Sequence, residues 1–372
     1  MIFDPQQIEA ELERIQRQNS PTEARTTILN LVVFSRRETT DRTEAALAHV
    51  VGKRAARVIH VVPQDRPESN VSLSARCYLD RESKSVCVQE IVIENGADGV
   101  GAAPGTWTPL LIRDLPVYAI WFDTLSKNTA LLQDLEEQCD TLIVDSEQCV
   151  AFGETVPDIV RTITSELVSR GVVVSDFVWQ RLLPLRQVTA RYFDPPERRE
   201  RLERIRSVTV SGAPPVFAAL YLSWLAGRLD WYVEPNRVAD HTGGDVAVRL
   251  LAAEGESAAT GRKSSRSAAD GRNIPTGQAA KVHFTFDDGD AVTISGRNDG
   301  TATIARTDGR ESARDGLAAG DTVQRSATGY EEVVSYGIPS DGEIVIAEID
   351  AVRNENLYTE ALAVLGRAPW AP

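Results

Sequence analysis

Residues 28–34 read ILNLVVF and residues 56–63 read ARVIHVVP, with a helical stretch from Asp41 to Val51 between them. A strand with one wet face alternates apolar with polar side chains, so an unbroken apolar run marks a strand covered on both faces. Strand, helix and strand in that order predict a parallel unit. Further on, SLSARCYL and SVCVQEIVIE alternate more and flank the charged turn Asp80-Arg81-Glu82-Ser83, which predicts a hairpin on the same sheet. PLLIRDLPVYAIWFD, a helix from about Asn128 to Gln138, and TLIVDS restore the alternation of strand and helix. A helix near Pro157, with Ile159, Val160, Ile163 and Leu167 on one face, closes this half at about Gly171.

Ahead of that sheet, Asp4-Pro5-Gln6-Gln7 supplies a helix start, and Ile8, Leu12 and Ile15 share one face. Behind it, Ser175 or Asp176 can cap a helix that Pro184 interrupts or restarts. Asp194 then caps a charged helix through PERRERLERI, IRSVTV reads as a strand, and PPVFAALYLSWLAGRL is apolar nearly all round, as a helix buried on most sides must be. Residues 253–280 hold almost no large apolar side chain and predict a disordered insertion. Val282, Phe284 and Phe286 lead through Asp288-Gly289 into AVTISG, a hairpin signal. TATIAR and GEIVIAEID read as further strands, and Leu357, Ala361, Val364 and Leu365 as a final helix. The expected fold is α/β: an N-terminal amphipathic helix in 1–20, an open, mostly parallel, Rossmann-like sheet domain over 21–171, and an α+β domain over 172–372 carrying the insertion.

At 372 residues there is length for two cores, and a formal net charge of −14 works against phosphate neutralisation, so neither nucleic acid nor an anionic membrane is expected as a partner. MIFDPQQIEAELERIQ lacks the pattern of a secretory signal, and LNLVVF and FAALYLSWLAG fall well short of a bilayer span. A cytoplasmic location with reduced thiols is the expectation. Cys77, Cys87, Cys139 and Cys149 form no Cys-x-x-Cys and have no histidine at zinc spacing. Either ten-residue pair, Cys77 with Cys87 or Cys139 with Cys149, can approach in space as a redox pair, and small buried cysteines are the plainer reading.

Chemistry-bearing motifs are scarce. No phosphate loop exists, and GADGVGAAPG fails as a dinucleotide fingerprint because Pro104 follows where a helix should open. The four histidines make no helical metal pair, and no Gly-x-Ser-x-Gly elbow occurs, so no catalytic residue, metal or cofactor is expected. Asp145 and Ser146 end a parallel strand, where open α/β sheets bind ligands. Strand ends also carry Asp and Ser as simple caps.

The stretch Asp176-Phe177-Val178-Trp179-Gln180-Arg181, followed by Phe193-Asp194-Pro195-Pro196, resembles the OpcA family of bacterial glucose-6-phosphate dehydrogenase assembly proteins. DLPVYAIWF from Asp114, LSWLAGRLDW from Leu222, CDTLIVDS from Cys139 and TATIARTDGR are similar to the family's pattern in order and spacing, from about Asn30 to Arg310. The chain departs from it at Leu185 and Phe122, where family members often carry tryptophan, and the insertion has no counterpart. The resemblance implies a non-enzymatic protein that binds glucose-6-phosphate dehydrogenase, favours its active oligomer and so acts allosterically on the oxidative pentose phosphate pathway.

For the stretch itself, Trp179, Leu182, Leu183 and Tyr192 are expected in the second core. Arg181, Arg186 and Arg191 advance by five residues, about 140° per step on an ideal helix, so a break at Pro184 is needed to bring two together. Trp179, Arg181 and Arg186 are the candidate rim of a partner-binding surface, since Trp and Arg are enriched in hot spots. The alternative is an α/β enzyme or sensor that binds a sugar phosphate or nucleotide near Asp145.

Overall fold

The computed structural model describes residues 4–19, 27–51, 53–63, 70–79, 85–95, 106–125, 135, 137–251, 280–308, 331–351 and 356–369. The turn Asp80–Ser83, the glycine-rich GADGVGAAPG, most of the helix expected at 128–138 and all but Ala280 of the insertion expected at 253–280 lie outside these residues. The chain divides into two compact units, one built from Met1–Phe177 and Pro339–Asn354, the other from Val178–Ile338 and Glu355–Pro372 apart from a short segment in the undescribed insertion.

The first unit opens with α1 (Pro5–Asn19), which starts where the Asp4 carboxylate accepts the Gln6 amide. Strands β1 (Leu29–Ser35) and β2 (Ala56–Pro63) flank α2 (Thr40–Val50) and pair in parallel. β3 (Asn70–Leu79) and β4 (Ser85–Asn95) form the expected antiparallel hairpin, and β5 (Val117–Phe122), β6 (Thr141–Val144) and β7 (Val173–Asp176) complete a seven-stranded sheet in the order β3-β4-β2-β1-β5-β6-β7. Every residue of β1 is buried. One face packs Leu31, Val33, Val58 and Phe122 against Leu47 and Val50 of α2. Asn30, the one amide in ILNLVVF, is satisfied by the loop ahead of β5: its Oδ1 accepts the Ile112 amide at 2.9 Å and its Nδ2 donates to the Ile112 carbonyl at 3.0 Å. Buried Arg57 reaches α1 through an ion pair with Glu9, which fixes that helix to the sheet. Beyond β6 come α3 (Ser146–Ala151) and α4 (Val156–Arg161), which runs on through a π-helical turn, Thr162–Leu167, and stops at Gly171 with φ +92°.

The second unit begins within the first turn of α5 (Phe177–Arg181), and Pro184 sits in the first turn of α6 (Leu183–Phe193), so the proline starts a new helix. Asp194 terminates α6 and does not cap the charged segment, which is a short helix α7 (Pro196–Arg199) followed by a 3₁₀ turn. β8 (Ile205–Ser211), the buried helix α8 (Pro215–Arg228) and a small β9–β10 ribbon (Tyr232–Glu234, Arg237–Ala239) follow. β11 (Ala247–Leu251), β12 (Lys281–Phe286), β13 (Ala291–Gly296), β14 (Thr301–Thr307) and β15 (Glu331–Ser335) join β8 in a six-stranded sheet, β11-β8-β12-β13-β14-β15. Only the β11–β8 pair is parallel. Alternate residues of these strands turn inward, and Phe284 meets Phe193 of α6 with ring centroids 5.4 Å apart.

GEIVIAEID corrects the expectation of a strand. It is a helix, α9 (Asp341–Asp350), and it belongs to the first unit, where Ile344 and Val345 join the core beneath α2. Ser340 and Glu343 form a reciprocal capping box, Ser340 Oγ accepting from the Glu343 amide and Glu343 Oε2 accepting the Ser340 amide at 2.8 Å. That start signal outweighs the β-branched run behind it. The last helix, α10 (Leu357–Leu365), lies in the second unit against α8, where a Cβ placed at Gly227 would stand 3.7 Å from the Val364 side chain.

Candidate functional site

Three neighbouring parallel strands of the first sheet end on aspartate: β5 runs into Asp123, β6 into Asp145, and β7 closes on Asp176. In an open α/β sheet this edge is where ligands gather. Here the acids are already engaged. Asp145 is fully buried and caps α3, its Oδ1 accepting the Gln148 amide at 3.0 Å while Oδ2 accepts from Arg42 Nη2 at 2.5 Å. Arg42 also reaches Asp341 at 2.5 Å and lies 4.5 Å over the Phe122 ring. Burial alone would pull this guanidinium down, yet Asp145 and Asp341 together hold it above the ordinary arginine value. Asp123 pairs with Arg36 at 2.6 Å, and Arg36 in turn covers Phe152. Asp176 accepts the Ser146 amide at 3.4 Å.

Ser146 is buried, and its hydroxyl has no hydrogen-bond partner among the described residues. Cys149, one turn on, has its thiol raised well above the usual range by burial first and by Glu154, Asp145 and Asp176 next, so it stays protonated and a poor nucleophile at neutral pH. The edge is therefore a packed electrostatic knot in which Arg36 meets Asp123 and Arg42 is shared by Asp145 and Asp341. Among the described residues no three His, Cys, Asp or Glu groups converge as metal ligands would.

The cysteines separate into two kinds. Cys77 and Cys87 stand opposite one another in the β3–β4 register and form a disulfide, which corrects the expectation of reduced thiols throughout. Cys139 and Cys149 are buried thiols outside the disulfide, Cys139 donating to the Thr141 carbonyl at 2.7 Å.

The structure does bring Trp179 and Arg186 together. Seven residues apart, two helical turns, Arg186 places its guanidinium 3.8 Å over the Trp179 ring, and Nη2 donates to the Trp179 carbonyl at 3.3 Å. Tyr358 of α10 closes on the same indole at 5.5 Å. But Trp179, Arg181 and Arg186 are only 2%, 4% and 6% exposed, which places them in the interior and away from any rim. Leu182 and Tyr192 are core as expected, whereas Leu183 is exposed.

Sequence reasoning passed over the outward face of the second sheet. Registers align Thr209, His283, Thr293 and Ala305 across β8, β12, β13 and β14, with Ser207, Thr285 and Ala291 in the next row and Ser295, Thr303 and Val333 in another. These positions are half-buried or exposed, while Val208, Val210, Val282, Phe284, Val292, Ile294 and Ile304, which alternate with them, are buried. Cross-strand bonds, Ser207 to Thr285 at 2.6 Å and His283 to Thr293 at 2.8 Å, hold the short side chains flat. The signal was the polar half of the alternation, Thr-x-Thr-x-Ala, read only for its apolar half.

Among the described residues no helix is long and apolar enough to cross a membrane. Comparison with known families matches residues 48–161 to the N-terminal domain and residues 172–362 to the C-terminal domain of a glucose-6-phosphate dehydrogenase subunit. Curated relatives named OxPP cycle protein OpcA include one from Nostoc punctiforme, 34% identical over 47% of this chain and 38% of that protein. Others are from Synechocystis, at 28% over 49% of this chain and 38% of the relative, and Synechococcus elongatus, at 28% over 51% and 43%. The chain thus spans about two fifths of the length of the curated relatives it matches.

Proposed function

The chain belongs to the OpcA family of glucose-6-phosphate dehydrogenase subunits, and from that premise we propose that it is a non-catalytic assembly factor and allosteric activator of that dehydrogenase. It binds the enzyme in the cytoplasm and favours the active oligomer, which sets entry into the oxidative pentose phosphate pathway. The observation that carries this reading is the match to both subunit domains, in order, along one chain. Two features of the geometry support it. The strand-end edge, the natural ligand crevice of such a sheet, is filled by Arg36, Arg42 and their acids. The broad outward face of the second sheet is the kind of extended surface that docking needs. An activator shifts an oligomer equilibrium only by binding the active arrangement more tightly, and a typical coupling is about 1–3 kcal/mol.

Dehydrogenase turnover and sedimentation, measured with and without the purified chain, test the proposal. The expected result is higher turnover together with a shift to the larger assembly. Unchanged turnover and size at micromolar concentrations of both proteins would overturn it, as would conversion of a metabolite by this chain alone.

A further inference from the structure

In the second unit the end of α6 meets the inner face of the sheet through aromatic rings. Phe193 packs edge-on to Tyr192, Phe284 and Phe286, with ring centroids 4.9, 5.4 and 6.5 Å apart. Registers put Phe284 opposite Val292 and Val292 opposite Arg306, so Arg306 ends the same inward row on β14, two residues beyond buried Ile304. The segment after α6 adds two guanidiniums, Arg198 4.7 Å over the Tyr192 ring and Arg201 4.4 Å over the Phe286 ring.

Two buried donors in this cluster have nothing to bond. Tyr192 is only 3% exposed, and its hydroxyl lacks a hydrogen-bond partner among the described residues, as does Arg201 Nε. Such groups are nearly always paired in folded proteins, so each calls for an acceptor. Burial raises the Tyr192 pKa against the opposite pull of Arg306, Arg198 and Arg201, so at neutral pH the phenol keeps its proton and donates. Those three guanidiniums, Arg306 foremost, are the positive charges that the hydroxyl faces, and Glu332, opposite Ile304 on β15, is the opposing negative one.

The guanidiniums are not used up by their neighbours. Arg201 engages Asp288 and Asp290 through Nη2, at 3.4 and 2.7 Å, which leaves Nε over. Arg198 donates Nη1 to the Tyr192 carbonyl at 3.4 Å and, like Arg306, has no carboxylate partner among the described residues. Both are half-buried, so the cluster is reachable from solvent. A carboxylate ligand offers two oxygens in one plane. A phosphate offers oxygens in tetrahedral directions, which suits a phenol, an Nε–H and two guanidinium forks arriving from three parts of the chain.

We propose that Tyr192, Arg198, Arg201 and Arg306 bind a phosphate group, either inorganic phosphate or a phosphomonoester of a small metabolite. Tyr192 Oη and Arg201 Nε donate to its oxygens, and Arg198 and Arg306 close over it from the solvent side.

Isothermal titration of the full chain with phosphate, glycerol 3-phosphate and acetate, near neutral pH and at about 150 mM salt, tests this. One saturable site is expected for phosphate, with acetate at least about tenfold weaker, the scale of one charge-assisted hydrogen bond. Tighter binding of glycerol 3-phosphate assigns the site to a phosphomonoester, and weaker binding assigns it to the free ion. Tyr192→Phe and Arg306→Gln should each weaken phosphate about tenfold, whereas Glu332→Gln, which removes the opposing charge, should tighten it about threefold or more. Phosphate should raise the unfolding midpoint of the parent and not that of Tyr192→Phe, whose midpoint without phosphate does not fall because the deleted hydroxyl bonds nothing. Absence of saturable heat up to millimolar phosphate overturns the proposal. So does parental affinity in both Tyr192→Phe and Arg306→Gln, or acetate binding as tightly as phosphate. Because binding is read on the chain alone, its failure is separate from any failure of dehydrogenase activation.

Discussion

The two sheets of this chain spend their side chains in opposite ways. In the first, β1 is buried at every residue and polar groups at the strand ends are locked to one another, as Arg42 is to Asp145 and Asp341. In the second, only alternate residues are buried, and among the described residues the remaining face is half-buried or exposed and carries mostly threonine, serine and alanine beside His283. The parallel sheet needs two covers because its crossovers lie on its faces, whereas the hairpin-built sheet needs only one. The difference teaches that charge at the ends of a parallel sheet need not mean a ligand site, and that a flat polar face can be the more available surface.

The sharpest way to break that contrast is at the knot. Arg42→Ala leaves Asp145, which is fully buried, and Asp341 without their counter-charge, and removing one partner of such a pair costs about 3–5 kcal/mol. Urea unfolding should show this loss, and a change below about 1 kcal/mol would mean the edge is wet enough to host a ligand after all. His60 comes next. Its folded pKa of about 4 lies below the ordinary 6.5, so the unfolded chain binds the proton more tightly. The stability it confers is complete above about pH 6.5 and is lost as pH falls through 4, up to about 3 kcal/mol. Unfolding midpoints across that window should fall in the parent and fall less in His60→Gln. Gly342 is the third point, since a Cβ there would overlap the Cβ and ring of His49 on α2. Gly342→Ala should cost about 1–3 kcal/mol by overpacking the α2–α9 contact.

Much of this was legible in the sequence. ILNLVVF and ARVIHVVP fixed the parallel unit because continuous burial leaves a period-free apolar run, and Val282, Phe284 and Phe286 announced the second sheet because one-sided burial leaves period two. α9 was misread because Ile344, Val345, Ile346 and Ile349 favour a strand locally, while what decides the matter is the Ser340–Glu343 box at one end and a receiving core nearly 300 residues upstream. No local pattern reports that second fact. The break at Pro184 was the expected means of bringing two arginines together, whereas the structure stacks Arg186 on Trp179, and residue type alone could not say that this pair faces inward, since a stacked Trp and Arg look alike in a core and in an interface. The disulfide escaped for a similar reason: spacing allowed Cys77 and Cys87 to meet, and only the strand register put them opposite.

The smallest expected effect on stability tests the open face. Thr293→Arg and Thr303→Arg, on neighbouring strands, place long charges where short hydroxyls now lie flat, yet they point away from Ile294 and Ile304, which remain in the core. Folding should change by less than about 0.5 kcal/mol, as for surface positions generally. If this face meets the dehydrogenase, each arginine must be buried without a partner or hold the two surfaces apart, so co-sedimentation and activation should fall by more than tenfold, while an arginine at exposed Ala45 of α2 leaves both intact. Full activation by the double variant would move the docking surface off this sheet. Equal loss with Ala45→Arg would erase the distinction between the units, because a charge on the covered sheet's outer helix would then matter as much as one on the uncovered face.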